Sequence, residues 1–129
     1  MIVLDTHAFI WLLSEPKRLP KKAAKAIKGA DCLALADISL WEFSMLVERR
    51  RIEIDRGPRQ WLDDALSDER FHVVPINPEI AARSATLGAH FHGDPADRLI
   101  VATAMIEQVP LVTADEKIRD WAGVTVIWD

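Results

Sequence analysis

The sequence predicts an α/β fold, a parallel β-sheet of about five strands flanked by helices in three layers. Short apolar runs alternate with amphipathic helical stretches along the whole chain of 129 residues, which is the signature of consecutive βαβ units. The apolar runs lack polar alternation, as strands covered on both faces do. Prolines stand at helix starts, at Pro20, Pro58, Pro78 and Pro95, where the missing N–H leaves no bond unmade.

Strands are expected at Met1–Leu4, Leu33–Ala36, Val73–Ile76, Val109–Thr113 and Val124–Trp128. Between them, helices are expected at Thr6–Leu13, Pro20–Ala30, Ser39–Arg51, Pro58–Ser67, Pro78–Phe91, Pro95–Gln108 and Ala114–Ala122. The length is that of one domain, 1–129, and a 50% hydrophobic content is enough to fill one core. No repeat, low-complexity tract or linker divides it. No apolar run approaches a membrane span and no basic segment precedes an apolar leader, so a cytoplasmic chain without a membrane role is expected. Cys32 is the single cysteine; it can form no internal disulfide and reads as an inert thiol at a buried strand position.

The net charge of −4 excludes a broad basic surface for nucleic acid. Two local basic groups remain. Lys21, Lys25 and Lys28 fall on one helix face and read as a solvated surface. Arg49, Arg50 and Arg51, with Arg56 and Arg59, read equally as a solvated face or as contacts to phosphates or an acidic partner segment.

Chemistry concentrates in the acids. Asp5 ends the first strand run, Glu42 opens the helix after the second, Asp97 sits in the first turn of the helix at Pro95, and Asp115 follows the fourth strand run. In a parallel α/β sheet, ligands bind beyond the carboxyl ends of the strands, which places Asp5 and Asp115 at a site. Carboxylates gathered there repel one another unless a cation neutralises them. Hard oxygen donors suit Mg²⁺ or Mn²⁺, so a metal-dependent phosphoryl-transfer site is expected.

Each acid also fits a helix cap. Ser39-Leu40-Trp41-Glu42 and Thr113-Ala114-Asp115-Glu116 have the form of capping boxes, Asp94-Pro95 is a helix start, and Asp5 precedes the helix at Thr6. Against capping alone, Glu42 lies among Leu40, Trp41, Phe43 and Met45, where an unpaired charge is costly. Asp94 already satisfies its helix, which leaves Asp97 surplus. His90 and His92 lack further soft ligands for a zinc site and read as surface or substrate-edge residues. His7 is either a substrate contact or a turn histidine. Thr6 and Thr113 could orient water behind the acids or cap helices. Trp11, Trp41, Trp61 and Phe43 read as core or interface residues rather than base-stacking platforms.

Four segments in order, Ile2-Val3-Leu4-Asp5-Thr6-His7, Ser39-Leu40-Trp41-Glu42, Gly93-Asp94-Pro95-Ala96-Asp97-Arg98-Leu99-Ile100-Val101-Ala102 and Leu111-Val112-Thr113-Ala114-Asp115, resemble the PIN-domain ribonucleases. Within that family the likeness is to VapC-type toxins of bacterial toxin–antitoxin pairs. The resemblance implies a Mg²⁺- or Mn²⁺-dependent endoribonuclease with Asp5, Glu42, Asp97 and Asp115 as catalytic and metal-binding residues, and Asp94 as a further ligand. It also implies an RNA substrate, a homodimer, and a small cognate antitoxin whose C-terminal segment covers the acidic pocket. A haloacid-dehalogenase-like phosphatase is the alternative enzyme, although that family needs an acid where His7 stands. A non-catalytic binding module, all its acids being caps, is the alternative from another class.

Overall fold

Ile2, Val3 and Leu4, Leu33 to Ala36, and Leu111 and Val112 are apolar and buried at every position. Strands of that kind must be covered on both faces, and they are. A computed structural model describes residues 1–129. It holds β1 (Ile2–Leu4), β2 (Leu33–Ala36), β3 (Phe71–Val74), β4 (Leu111–Val112) and β5 (Val126–Ile127) in one sheet of order β3-β2-β1-β4-β5. Every neighbouring pair is parallel. Seven helices connect them: α1 (Thr6–Ser14), α2 (Lys21–Gly29), α3 (Ile38–Glu48), α4 (Pro58–Ala65), α5 (Pro78–Ala85), α6 (Pro95–Glu107) and α7 (Glu116–Trp121). The expected α/β/α architecture is therefore present.

Strand alternation sorts the core into two layers. Ile2, Leu4, Leu33, Leu35 and Val112 face Phe9 of α1, Ile27 of α2, Phe43 of α3 and Trp61 of α4. Val3, Ala34, Ala36 and Leu111 face Ile80 of α5, Ile100 and Ala104 of α6, and Ile118 of α7. The small side chains of Ala34 and Ala36 let α6 lie close on the sheet. From Ile100 through Ala104 that helix is buried without interruption, so its first turn is fixed by packing and not by solvent-facing charge.

The chain leaves β1 for β2 and β3 on one side, then returns to β4 and β5 on the other. β1 and β4 thus flank the point where strand order reverses, where parallel sheets open a crevice at their carboxyl ends. Asp5 and Thr113, each directly after its strand, stand at that crevice.

Several expected boundaries shift for physical reasons. The third strand is Phe71–Val74, not Val73–Ile76, because Pro75 has no N–H to continue the ladder. Similarly, Pro110, which has no N–H, keeps Val109 out of β4, which is Leu111–Val112. The helix expected to reach Phe91 ends at Ala85, and the following chain turns at Gly88, whose φ of 99° is left-handed. Helix α3 ends at Glu48, since Arg50 takes φ 56° and the Arg51 N–H returns to the Leu46 carbonyl; Arg49–Arg51 is a turn. Cys32 precedes β2 and is only partly buried.

The start of α3 corrects a second expectation. Ser39 is not the cap: Asp37 holds that position with a helical backbone and no side-chain bond to the helix. Ser39 is fully buried and its Oγ accepts a 2.9 Å hydrogen bond from Thr6 Oγ1. That bond ties α1 to α3 directly behind the acids. Ser39→Ala and Thr6→Val should each destabilise the protein, and in a double-mutant cycle read by denaturant midpoint the two effects should fail to add by roughly 1 kcal/mol. Simple additivity would indicate that the two hydroxyls do not interact.

Candidate active site

Asp5 ends β1 and caps α1. Its Oδ1 accepts the Thr6 N–H at 2.7 Å and its Oδ2 accepts the Thr113 hydroxyl at 2.6 Å. Its own N–H donates to the Val112 carbonyl at 2.9 Å. The same Thr113 oxygen accepts the Asp115 N–H at 3.0 Å, so one buried hydroxyl aligns both acids. Asp115, and not Thr113, caps α7, its Oδ1 taking the N–H groups of Lys117 and Ile118 at 2.8 and 3.3 Å.

Asp94 caps α6 by accepting the Asp97 N–H at 3.0 Å. Asp97 caps nothing; it leans from the first turn toward His92, whose Nε2 is 2.6 Å from Oδ2. Glu42 lies in the second turn of α3 and likewise caps nothing. Capping and site-building are therefore compatible. Asp94 and Asp115 each cap through one oxygen and keep the other, while the helix N-termini supply positive potential toward both.

One depression of about 410 Å³ is lined by Asp5, His7, Glu42, Asp94, Asp97 and Asp115, with Trp11 and Ala114 completing its wall. Two sets of three side chains bring ligand atoms within 4.8 Å of one another: Glu42, Asp94 and Asp97, which all line the depression, and Asp97 and Asp115 with His92 beside it. Asp97 belongs to both sets. Asp5 belongs to neither, since its two oxygens are drawn back onto Thr6 and Thr113.

The carboxylates perturb one another. Burial pushes Asp97 up to about 6, and the charges of Asp5, Asp94 and Asp115 add to the rise against the His92 hydrogen bond, which opposes it. Asp5 is raised chiefly by burial and further by Asp115, despite its bonds to Thr113 and Thr6. Glu42 is raised by burial first, then by Asp5 and Asp94, with the Thr6 hydroxyl pulling the other way. Such mutual elevation is what a cation relieves.

His92, expected at the surface or the substrate edge, is half-buried against Asp97; His90 is exposed. Arg98 explains the difference. Its guanidinium donates to the carbonyls of Ser84, Phe91 and His92 at 3.1 to 3.2 Å, folding the loop back over the helix start. The sequence held a weak signal, because residues just before an N-cap tend to pack on the first turn. Of the basic group, Arg56 pairs with Asp55 and Asp64, and Arg59 approaches Asp63 at 3.7 Å, leaving Arg49, Arg50 and Arg51 without ion pairs. Trp61 and Phe43 are core. Trp11 borders the acid depression, and Trp41 is 55% exposed.

Oxygen donors in two converging sets, joined by one imidazole nitrogen, fit a divalent cation. This donor set, on a parallel sheet at its order reversal, is an acidic cluster that could bind a metal. The PIN-domain family model matches residues 2–124, and the chain belongs to that family. It is 42% identical over 118 residues to Ribonuclease VapC22 of Mycobacterium tuberculosis, covering 92% of this chain and 89% of the relative. Among solved structures, a toxin–antitoxin complex from Klebsiella pneumoniae is 25% identical with a TM-score of 0.68, covering 98% of this chain and 95% of the other. The DNA-bound VapBC of Salmonella typhimurium, 16% identical, shares the fold with a TM-score of 0.72 over 97% and 95% of the two chains.

The raised carboxylates set the pH dependence of the metal-free protein. Between 3.8 and about 6 the folded state holds a proton on Asp97 that the unfolded chain releases, so stability falls as pH rises through this window. In EDTA, the melting temperature of wild type should drop between these pH values, and Asp97→Asn should show a flatter profile. Parallel profiles for the two proteins would mean that Asp97 does not carry the effect.

Proposed function

We propose that this chain is a Mg²⁺- or Mn²⁺-dependent endoribonuclease, the toxin of a toxin–antitoxin pair, that hydrolyses RNA phosphodiester bonds at the acid depression. The observation that carries this reading is the convergence of Glu42, Asp94, Asp97 and Asp115 around one depression in a PIN-domain chain that is 42% identical to a ribonuclease.

When bound, a divalent cation polarises the phosphate and lowers the pKa of water. Asp97 and Asp115, joined by Asp94 and Asp5, would hold it. The protein's own part is positioning. Thr113 and Thr6 keep Asp5 from rotating, and α6 keeps Asp97 fixed on a buried helix. Glu42, whose proton affinity burial has raised, orients the attacking water and accepts its proton. His7, exposed at the rim of the depression, is placed to donate to a phosphate oxygen.

A groove of about 500 Å³ adjoins the depression and shares Glu42 and Asp94 with it. Ile38, Trp41, Met45 and Leu46 make it apolar, while Arg49 and Arg51 edge it. An antitoxin segment lying there would reach the acids and exclude RNA, and a second copy of the chain would form the homodimer. No helix is long and apolar enough to cross a membrane. The phosphatase alternative lacks its second acid, for His7 occupies that place.

Purified protein with Mn²⁺ or Mg²⁺ should cut single-stranded or looped RNA, and EDTA should stop it. Asp5→Asn and Asp97→Asn should lower cleavage by at least roughly 100-fold. Glu42→Gln should melt no lower than wild type in EDTA yet lose most cleavage. Intact RNA with hydrolysis of small phosphate esters would instead favour the phosphatase.

A further inference from the structure

We propose that His92 is itself a ligand of the cation, so that one half of the site is a nitrogen–oxygen set formed by His92 Nε2 with carboxylate oxygens of Asp97 and Asp115. The inference rests on reading the acid cluster as a metal site and adds to it a residue type that the acids alone do not supply.

Geometry separates a ligand from a bystander. A histidine that merely steadied Asp97 from behind would approach no other acid of the cluster. His92 instead has its ring nitrogen within 4.8 Å of the ligand atoms of both Asp97 and Asp115, 2.6 Å from the former. It completes the set from which Asp5 is absent.

The ring is also held in place. It stacks on Phe91 with centroids 4.5 Å apart and planes at 18°. Phe91 is buried and meets Trp121 edge-on at 5.0 Å. Arg98 holds the carbonyls of both Phe91 and His92, and its guanidinium lies 5.6 Å from the Phe91 ring centroid. A surface histidine has no need of three such supports. Ligands preset by packing and outer hydrogen bonds are how proteins define a metal's position.

In the metal-free protein Nε2 and Oδ2 are in hydrogen-bond contact. A cation held here would accept lone pairs from Nε2 and from carboxylate oxygens, and a proton carried by those atoms would be released to solvent. Imidazole raises affinity for borderline transition ions relative to Mg²⁺, which prefers oxygen and water. The site is therefore expected to favour Mn²⁺ over Mg²⁺ more strongly than an all-carboxylate site would.

Pulsed electron paramagnetic resonance on the Mn²⁺-loaded full chain reads this directly, without reference to RNA cleavage. Wild type should show the electron spin-echo modulation of a directly bound imidazole nitrogen. His92→Gln should lose that signal, whereas His7→Gln and His90→Gln should keep it. Competition against Mg²⁺ should show the preference for Mn²⁺ reduced roughly tenfold or more in His92→Gln. Bound Mn²⁺ without nitrogen modulation in wild type would overturn the proposal while leaving the metal site intact, as would a signal that survives in His92→Gln. Absence of any bound Mn²⁺ would overturn both this proposal and the metal reading beneath it. The wild-type spectrum decides the matter even if the variant folds poorly.

Discussion

The hydrogen bond from the Thr113 hydroxyl to Asp5 spans nearly the whole sequence, and the arrangement of the site depends on it. It joins the carboxyl ends of β1 and β4 across the reversal in strand order. Through its second role, accepting the Asp115 N–H, it also fixes where α7 begins. Asp5 is 7% exposed and Thr113 fully buried. A charged carboxylate in such surroundings is costly unless its oxygens are satisfied, and two short bonds satisfy them here. The satisfaction is incomplete, because Asp5 still holds its proton more tightly than an ordinary aspartate. The fold thus retains an uncompensated desolvation cost at its crevice.

The same tension runs through the other acids. Net charge and pocket charge agree in sign, so the metal-free depression repels a phosphate backbone. A bound cation reverses the local field, and pKa logic near the ion reverses with it. The helix starts of α6 and α7 work in the same direction by turning their N–H ends toward Asp94 and Asp115. The neighbouring groove shares Glu42 and Asp94 with the depression. In the proposed reading, an occupant of the groove and an RNA at the acids compete for the same side chains, which makes inhibition a matter of overlap and needs no conformational relay.

The sheet was legible because its central strands are apolar at every residue and because prolines mark helix starts. Asp5 and Asp115 were legible from the rule that parallel sheets bind ligands at their carboxyl ends. Features set by distant contacts were not. Ser39 had the form of a cap, yet its hydroxyl is used by Thr6, 33 positions away. The helix through Ala85 looked longer because nothing in its local pattern shows that Arg98 will claim the Ser84, Phe91 and His92 carbonyls. His92 looked like a surface or substrate-edge residue for the same reason. For Glu42 and Asp97 the sequence tilted only modestly against capping, through the apolar neighbours of Glu42 and the cap that Asp94 already supplies, since the full difference lies in which backbone N–H groups their oxygens fail to meet.

The central claim is that these side chains form a cation centre shared by Asp97. Anomalous diffraction from a crystal grown with Mn²⁺ tests it most directly. An anomalous peak is predicted within about 2.0–2.6 Å of an Asp97 oxygen, a distance range typical of divalent cations bound by oxygen, with partners drawn from Asp115, Asp94, Asp5 and His92. A strong anomalous peak elsewhere, or an acid depression holding only water at saturating Mn²⁺, would contradict it.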